Sequence, residues 1–164
     1  YYDNGTAGDI LVGVLFVLRF FLMAYKGFDR VDSITANLGC VFALGVALCP
    51  TTSSNQVVHI LHFVFAMLLF STFIFFSIYL FRKSDPQKKC SPQKNKRNVI
   101  YLVCGIIMIV AIASIVVSIF WLEEASQQYH LVFWFESLAL ISFGFSWITK
   151  AEFLFLKDEE QNGH

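Results

Sequence analysis

Long apolar runs separated by short polar stretches dominate the chain. Five runs approach the length of a membrane span, and their approximate bounds are 9–25, 34–49, 57–81, 99–122 and 131–156. A helix that crosses the hydrocarbon core of a bilayer needs about 20 mostly apolar residues. Apolar and polar residues do not alternate with period two, as they would in a membrane β-barrel. The pattern therefore predicts an all-α, polytopic transmembrane helix bundle with about five crossings, in a single transmembrane domain over residues 1–164.

The second run is the shortest, and it leaves two interpretations open. Its core, ITANLGCVFALGVALC, would rise only about 24 Å at 1.5 Å per residue. A re-entrant hairpin therefore competes with a full crossing. Small residues recur along this run at steps of three and four, at Ala36, Gly39, Ala43 and Ala47. Because such a stripe lets helix backbones approach closely, we expect this run to pack inside the bundle.

Composition excludes an ordinary soluble domain. Hydrophobic residues make up 57% of the chain, charged residues make up 15%, and the mean hydropathy is +0.63. Soluble domains carry about 25% charged residues. The four cysteines follow neither a zinc motif nor the pattern of a disulfide framework. The chain is thus expected to use lipid as the solvent for much of its surface.

The positive charges predict an orientation. Seven of the twelve Lys and Arg residues lie in the loop Arg82–Arg97, and loops rich in Lys and Arg stay in the cytosol. If the second run crosses the membrane, Lys26, Arg30, Lys150 and Lys157 fall on the same side as this loop. The connections on the other side, 1–8, 50–56 and 123–129, contain no Lys or Arg. The charges therefore favour a full crossing over the hairpin.

This orientation places Tyr1 outside and both the loop 82–97 and the C terminus in the cytosol. A chain with an odd number of crossings and an outer start suggests an additional span. We therefore expect the reading frame to encode another membrane segment before Tyr1.

Arg19 is a charge inside the first run, which makes it a candidate functional residue. It follows Asp9 by ten residues, or about 15 Å along a helix. Glu136, near the outer end of the fifth run, is its expected partner. A structural ion pair is the simpler interpretation, and a buried pair lining a path for substrate or protons is the alternative.

His59 and His62 lie three residues apart in the third run, so they share a helix face. Asp9, His130 and Glu136 are expected at a similar depth in the same leaflet. Two imidazoles and a carboxylate can perform acid–base chemistry or coordinate a metal. No HExxH-like motif joins these residues, and interfacial packing explains them more simply. We therefore predict no metal site and no cofactor.

The basic loop Arg82–Arg97 also suggests partners. Its seven positive charges against one acid, Asp85, suit attraction to anionic lipid headgroups, although setting topology is the simpler interpretation. The loop lacks the interleaved aromatic residues and the fold of a nucleic-acid site. The expected partners are therefore the lipid bilayer and its anionic headgroups, without nucleic acid, and oligomerisation stays open.

Several segments together resemble an uncharacterised family of small bacterial multi-pass membrane proteins. These segments are YYDNGTAGDILVGVLF, AYKGFDRVD, FALGVALCPT, KRNVIYLVCG and FGFSWITKAE, so the resemblance covers nearly the whole chain. It implies a bacterial inner (plasma) membrane, and it implies no catalytic residue because no activity is established for the family. Arg19 and the acidic end KDEEQNGH lie outside the shared pattern.

Three functions are compatible with these observations. The first is a membrane protein with an outward-facing polar pocket that binds or moves a small solute or lipid headgroup, lined by Arg19, His59, His62 and Glu136. The second is an intramembrane enzyme that acts on a lipid-like substrate, with His62 or Glu136 as the acid–base residue. The third is a structural or partner-binding role. Whether the protein is an enzyme stays open.

Overall fold

The computed structural model describes residues 5–25, 29–49, 55–83 and 92–151, and these residues form helices without any strand. The prediction of an all-α fold is confirmed. The six helices are α1 (Gly5–Ala24), α2 (Arg30–Leu48), α3 (Gln56–Phe75), α4 (Pro92–Phe120), α5 (Glu123–Tyr129) and α6 (Leu131–Lys150). A π-helical turn, Phe76–Leu80, continues α3.

Four helices of the described residues are long and apolar enough to cross a membrane: α2, α3 with its π-helical turn, α4 and α6. The expected number of about five crossings is therefore wrong, because α1 is not among them. The apolar part of α1 runs only from Val12 to Ala24, about 20 Å of helix. A hydrocarbon core is about 30 Å thick, so this part of α1 is too short to cross it.

The second run, which is the shortest in sequence, forms one uninterrupted helix that qualifies as a span. Helix α2 begins at Arg30, four residues before the expected start, and its 19 residues rise about 28 Å. Asp29 caps it, because its side chain accepts a hydrogen bond from the backbone N–H of Asp32 at 3.1 Å. A continuous helix contains no turn, so the hairpin interpretation is wrong.

Two other boundaries differ from the prediction. Helix α4 begins at Pro92 rather than near 99, so the end of the basic loop is helical. Proline suits the first helical position because its missing N–H would have no partner there. The connection 123–129 is itself the short helix α5. The predicted end of the last run, 152–156, lies outside the described residues.

The chain divides into two compact units, Tyr1–Thr72 and Phe73–His164. In the first unit, the buried face of α2 consists mainly of small residues: Asp32, Ala36, Gly39, Ala43 and Val46. A β-carbon at Gly39 would lie 3.1 Å from Leu22, and one at Gly45 would collide with the ring of Phe65. Three residues of the predicted small-residue stripe, Ala36, Gly39 and Ala43, thus lie on the buried face of α2, whereas Ala47 is half-buried.

The second unit is packed around large aromatic rings. Phe73 and Phe143 stack with their centroids 3.9 Å apart, and Trp147 contacts Phe143 at 5.6 Å. Ser77, in the π-helical turn, shares a hydrogen bond of 2.5 Å between its Oγ and that of Ser146 in α6. Both hydroxyl groups are fully buried, so this bond satisfies two polar groups inside the unit.

Large apolar side chains face outward on every one of the longer helices. Phe21, Val41, Ile60, Val110 and Ile141 are 52–70% exposed. Helices that are this apolar on their outer surface need lipid rather than water around them. By the length and composition of its helices, the protein is an integral, multi-pass membrane protein.

Candidate functional site

The two histidines of α3 have different environments within the first unit. His62 is 5% exposed, and its Nδ1 lies 2.6 Å from the backbone carbonyl oxygen of Cys49. Because a carbonyl only accepts, Nδ1 must carry the proton and donate it. Cys49 follows the last residue of α2, where carbonyl groups lack partners within the helix. His62 therefore acts as a cap that joins α3 to the end of α2.

His59 is exposed and contacts the edge of the Phe63 ring, with the centroids 4.9 Å apart. His62 contacts the same ring at 5.8 Å. Both imidazole rings therefore contact Phe63 of their own helix. Their environments differ, because His62 is hydrogen-bonded to the backbone carbonyl of Cys49 and His59 lies at the surface.

Arg19 lies in α1 and is half-buried. Its Nε atom is buried and has no hydrogen-bond partner among the described residues, and its guanidinium carbon lies 5.9 Å from the centre of the Phe20 ring. An arginine in such a position retains the need for an acceptor. The side chain of Asp9 lies outside the described residues. The pairing of Arg19 with Glu136 stays a prediction.

His130 and Glu136 belong to the second unit. His130 is exposed and is the one described residue other than glycine with a positive φ, 52°. It ends α5 and precedes α6, so its left-handed backbone makes the corner between them. Glu136 is half-buried in the second turn of α6. A pocket that brings these residues together with Arg19, His59 and His62 stays a prediction.

Metal coordination finds no support among residues 5–25, 29–49, 55–83 and 92–151. Within these ranges, no three side chains of His, Cys, Asp or Glu come close enough to hold a metal ion. The acid–base interpretation of the histidines stays a prediction.

An open pocket of about 180 Å³ lies where α4 ends and α5 begins. Its walls contain two serine hydroxyls, one carboxylate, one amide and one aliphatic side chain. These belong to Ser118, Ser126, Glu123, Gln127 and Ile119. The pocket lies wholly within the second unit, and all five residues are described.

Local structure explains why these side chains meet. Helix α4 ends where the N–H of Trp121 donates to the carbonyl of Val117 at 2.9 Å. After a break at Leu122, the N–H of Ser126 donates to the Leu122 carbonyl at 2.7 Å and closes the first turn of α5. The acidic residues Glu123 and Glu124 suit that first turn because a helix N terminus is electropositive. The break turns α5 back so that its side chains face the last turn of α4.

The polar residues of this pocket differ in their exposure. Ser118 is 1% exposed, whereas Glu123 and Gln127 are exposed and Ser126 is half-buried. Buried serines elsewhere in the unit are satisfied, as Ser142 is by the carbonyl of Leu138 at 2.8 Å. The pocket therefore combines one buried serine with polar side chains that water can reach.

The other end of the unit uses its basic residues differently. The ammonium group of Lys94 donates to the carbonyl oxygen atoms of Lys83 at 3.0 Å and Phe81 at 3.2 Å. Lys94 therefore caps the end of the helix formed by α3 and its π-helical turn. Arg97 is 4% exposed, so part of the predicted headgroup loop is built into the protein. Residues 84–91 of that loop lie outside the described residues.

Sequence reasoning missed the pocket because its signal is weak. Ser118 lies in an apolar run, and Glu123 and Gln127 lie in a stretch that the sequence pattern predicts to be a connection between two spans. The spacing of Glu123, Ser126 and Gln127 at steps of three and one gives one face of a helix. That face is visible only once the connection is known to be helical.

No protein-family model matches this chain, and neither a curated protein nor a solved structure matches it. The comparisons therefore identify no family. The coarser part of the resemblance, a multi-pass membrane protein, is supported by the four long apolar helices themselves.

Proposed function

We propose that the protein binds a small solute or a lipid headgroup in an outward-facing polar pocket, the one between the end of α4 and α5. The observation that carries this proposal is the pocket of about 180 Å³ whose lining includes four polar residues. Concave sites with a few convergent polar groups are typical of ligand binding. The proposal keeps the kind of function expected from the sequence and assigns it to Ser118, Glu123, Ser126 and Gln127.

The distribution of Lys and Arg residues supports a pocket that opens on the outer side of the membrane. The loop after α3 carries most of the Lys and Arg residues, whereas the connection between α4 and α6 carries none. If α4 crosses the membrane once, these two connections lie on opposite sides, and the positive-inside rule places the pocket outside. We accordingly propose a bacterial inner membrane location with loop 82–97 in the cytosol.

Binding is favoured over catalysis by the content of the pocket. Glu123 is the one acidic or basic side chain among the five residues that line it. General acid–base catalysis of lipid hydrolysis needs a nucleophile, a base and a group that stabilises the developing charge. One exposed carboxylate does not supply this set.

The chain contains a matched pair of residues for a test. Gln127 lines the pocket, whereas its neighbour Gln128 does not, and both are exposed. Gln127→Trp should fill the pocket mouth without disturbing the packed interior, and Gln128→Trp is the control. The purified protein in detergent would be heated with a panel of cationic, neutral and anionic solutes of fewer than about eight heavy atoms.

The expected result is that one class of solute raises the unfolding temperature of the native protein and of Gln128→Trp, because a ligand bound only to the folded state stabilises it. The same solutes should have no effect on Gln127→Trp. Stabilisation that is equal in the two tryptophan variants would contradict the proposal.

A further inference from the structure

We propose that the second unit binds the phosphate group of an anionic lipid at the end that lies away from the pocket between α4 and α5. Four basic side chains form this site, which we call the cation cluster: Arg82, Lys83, Lys94 and Lys150. They come from three elements, because two follow the π-helical turn, one is in the first turn of α4 and one ends α6. The site is separate from the pocket and does not depend on the function proposed for it.

Measured contacts gather the four cationic groups around one residue, Phe81. The Nζ atom of Lys94 lies 3.2 Å from the carbonyl oxygen of Phe81, and the Nζ atom of Lys150 lies 6.0 Å from the centre of its ring. Arg82 and Lys83 follow Phe81 directly in the chain. The fold therefore brings positive charges from α4 and α6 to the end of the helix that α3 and its π-helical turn form.

The side chains of Arg82 and Lys83 lie at the level of the lipid headgroups. The Nζ atom of Lys83 is 5.2 Å from the centre of the Tyr79 ring, and Nη1 of Arg82 donates to the carbonyl of Ile78 at 3.4 Å. Both side chains therefore fold back one turn toward the apolar part of the helix. Tyr79 is 54% exposed, and a tyrosine on the outer surface of a membrane helix is typical of the interface with the headgroups.

The acidic residues that the structure describes in the second unit lie toward its other end. They are Glu123 and Glu124 in α5 and Glu136 in the second turn of α6. Glu136 precedes Lys150 by fourteen residues, or about 21 Å along the helix. The Debye length at physiological salt is about 8 Å, so these acids do little to cancel the positive potential of the cation cluster. An external anion is therefore attracted to it.

The chemistry of the cation cluster suits a phosphate group. The guanidinium group of Arg82 presents its N–H donors in a planar fork that matches phosphate oxygen atoms, and lysine ammonium groups add compact positive charges. The carbonyl partners of Lys94 are neutral, so its position is fixed while its charge remains. Basic pockets between membrane helices bind anionic headgroups. Because the cluster lies at headgroup level, the phosphate belongs to a lipid rather than to a soluble ester.

The test measures binding by titration calorimetry, with the purified full chain in neutral detergent and two short-chain lipids, phosphatidylglycerol and phosphatidylcholine. Phosphatidylglycerol should bind at least about tenfold more tightly, because the choline group cancels the phosphate charge that the cation cluster attracts. Equal affinities for the two lipids would overturn the proposal.

Single charge removals separate a site from general attraction to a basic surface. Lys96 is exposed, and two positions after Lys94 it lies about 200° around α4, on the opposite side of the helix. Arg82→Gln and Lys150→Gln should each weaken phosphatidylglycerol binding about fivefold, whereas Lys96→Gln should change it by less than about twofold. Equal weakening by all three would show attraction to the surface as a whole and would contradict a site.

A conservative variant controls for damage to the packing at the end of α6. Lys150→Arg keeps the positive charge, so it should bind phosphatidylglycerol within about twofold of the native protein. If Lys150→Arg loses as much affinity as Lys150→Gln, the loss does not come from the charge and the role of Lys150 in the site is wrong. Circular dichroism and the unfolding temperature of each variant would show that the helices remain folded.

Soluble glycerol phosphate distinguishes a lipid from a free phosphate ester. It carries the same kind of anionic group without acyl chains and should give no measurable binding. Binding as tight as that of phosphatidylglycerol would assign the cation cluster to a soluble ligand and overturn the lipid assignment. Gln127→Trp, in the pocket between α4 and α5, should leave phosphatidylglycerol binding unchanged, so the two proposals can fail separately.

Discussion

In the first unit, helix backbones approach each other closely at α2, whereas in the second unit large rings fill the space between the end of α3 and α6. Gly45 in the first unit leaves room for one ring, that of Phe65, and the buried face of α2 is made of small residues. In the second unit, Phe73 and Phe143 stack directly. Lipid tails are as apolar as these side chains, so close packing rather than escape from water stabilises both units.

This difference has a consequence for where function resides. Two buried polar side chains of the first unit bond to backbone carbonyl groups, His62 to that of Cys49 and Thr72 to that of Leu68. The second unit satisfies Ser77 and Ser146 with each other, and at one end it forms the pocket lined by Ser118, Glu123, Ser126 and Gln127. We therefore propose ligand binding in the second unit, whereas His62 has a structural role in the first.

The largest expected effect is on the aromatic packing of the second unit. Phe143→Ala should lower the free energy of unfolding by about 3–5 kcal/mol, because it removes a buried ring and leaves a cavity. Phe145→Ala is the control, since Phe145 is 48% exposed and its loss should cost about 1 kcal/mol or less. Reversible unfolding in sodium dodecyl sulfate measures both, and equal losses would contradict the packing described for this unit.

Close backbone approach predicts the next effect. Gly45→Ala and Gly105→Ala should each destabilise the protein by about 1–3 kcal/mol through overpacking, because the added carbon would collide with Phe65 and Ile78 respectively. Gly13 and Gly144 have nothing within 4 Å of that position. Alanine at these two sites should be tolerated and should stabilise the helix by up to about 1 kcal/mol. A larger loss of stability from alanine at Gly13 and Gly144 than at Gly45 and Gly105 would contradict the close packing described at the latter two sites.

The hydrogen bond that caps α2 predicts a smaller effect. His62→Leu leaves the carbonyl of Cys49 without its donor, so a loss of about 1–3 kcal/mol is expected. His59→Leu, at an exposed position, should change stability little. Both variants should retain ligand binding, because neither residue lines the pocket between α4 and α5. Loss of binding in both would favour the pocket of histidines that the sequence suggested.

The smallest effect concerns the hydroxyl pair Ser77 and Ser146. A double-mutant cycle with alanine at both positions should give a coupling energy of about 0.6 kcal/mol, and not above about 1.7 kcal/mol, the range measured for hydrogen bonds between membrane helices. The pair Ser146 and Ser71 is the control, since Ser71 donates to the carbonyl of Met67 in its own helix. A coupling energy near zero for Ser77 and Ser146 would show that their hydrogen bond does not stabilise the protein.

The sequence allowed the helical class, the span at α2 and the small-residue stripe to be predicted, because each depends on local composition and periodicity. Two other expectations, a membrane span in the first run and a non-helical connection over 123–129, were wrong because they depended on more than composition. The apolar part of α1 proved too short, and the connection after Leu122 proved helical because Glu123 and Glu124 favour a helix N terminus.

The candidate site was less predictable because it depends on where α5 lies against the end of α4. The sequence marks His62 as a candidate, but only the structure shows its bond to Cys49. In the same way, nothing in the apolar run distinguishes Ser118 from Ser114. The difference between them is the turn at Leu122, which brings α5 over one of these serines and not the other.

The central claim is that the pocket between α4 and α5 opens on the outer side of the membrane. Two single-cysteine variants test it most directly, one retaining Cys90 in the basic loop and one carrying Gln127→Cys, with the remaining cysteines replaced by alanine. With a membrane-impermeant maleimide on intact cells, residue 127 should be modified, whereas Cys90 should react only after the cells are permeabilised. Modification of Cys90 in intact cells, with residue 127 protected until lysis, would contradict the account.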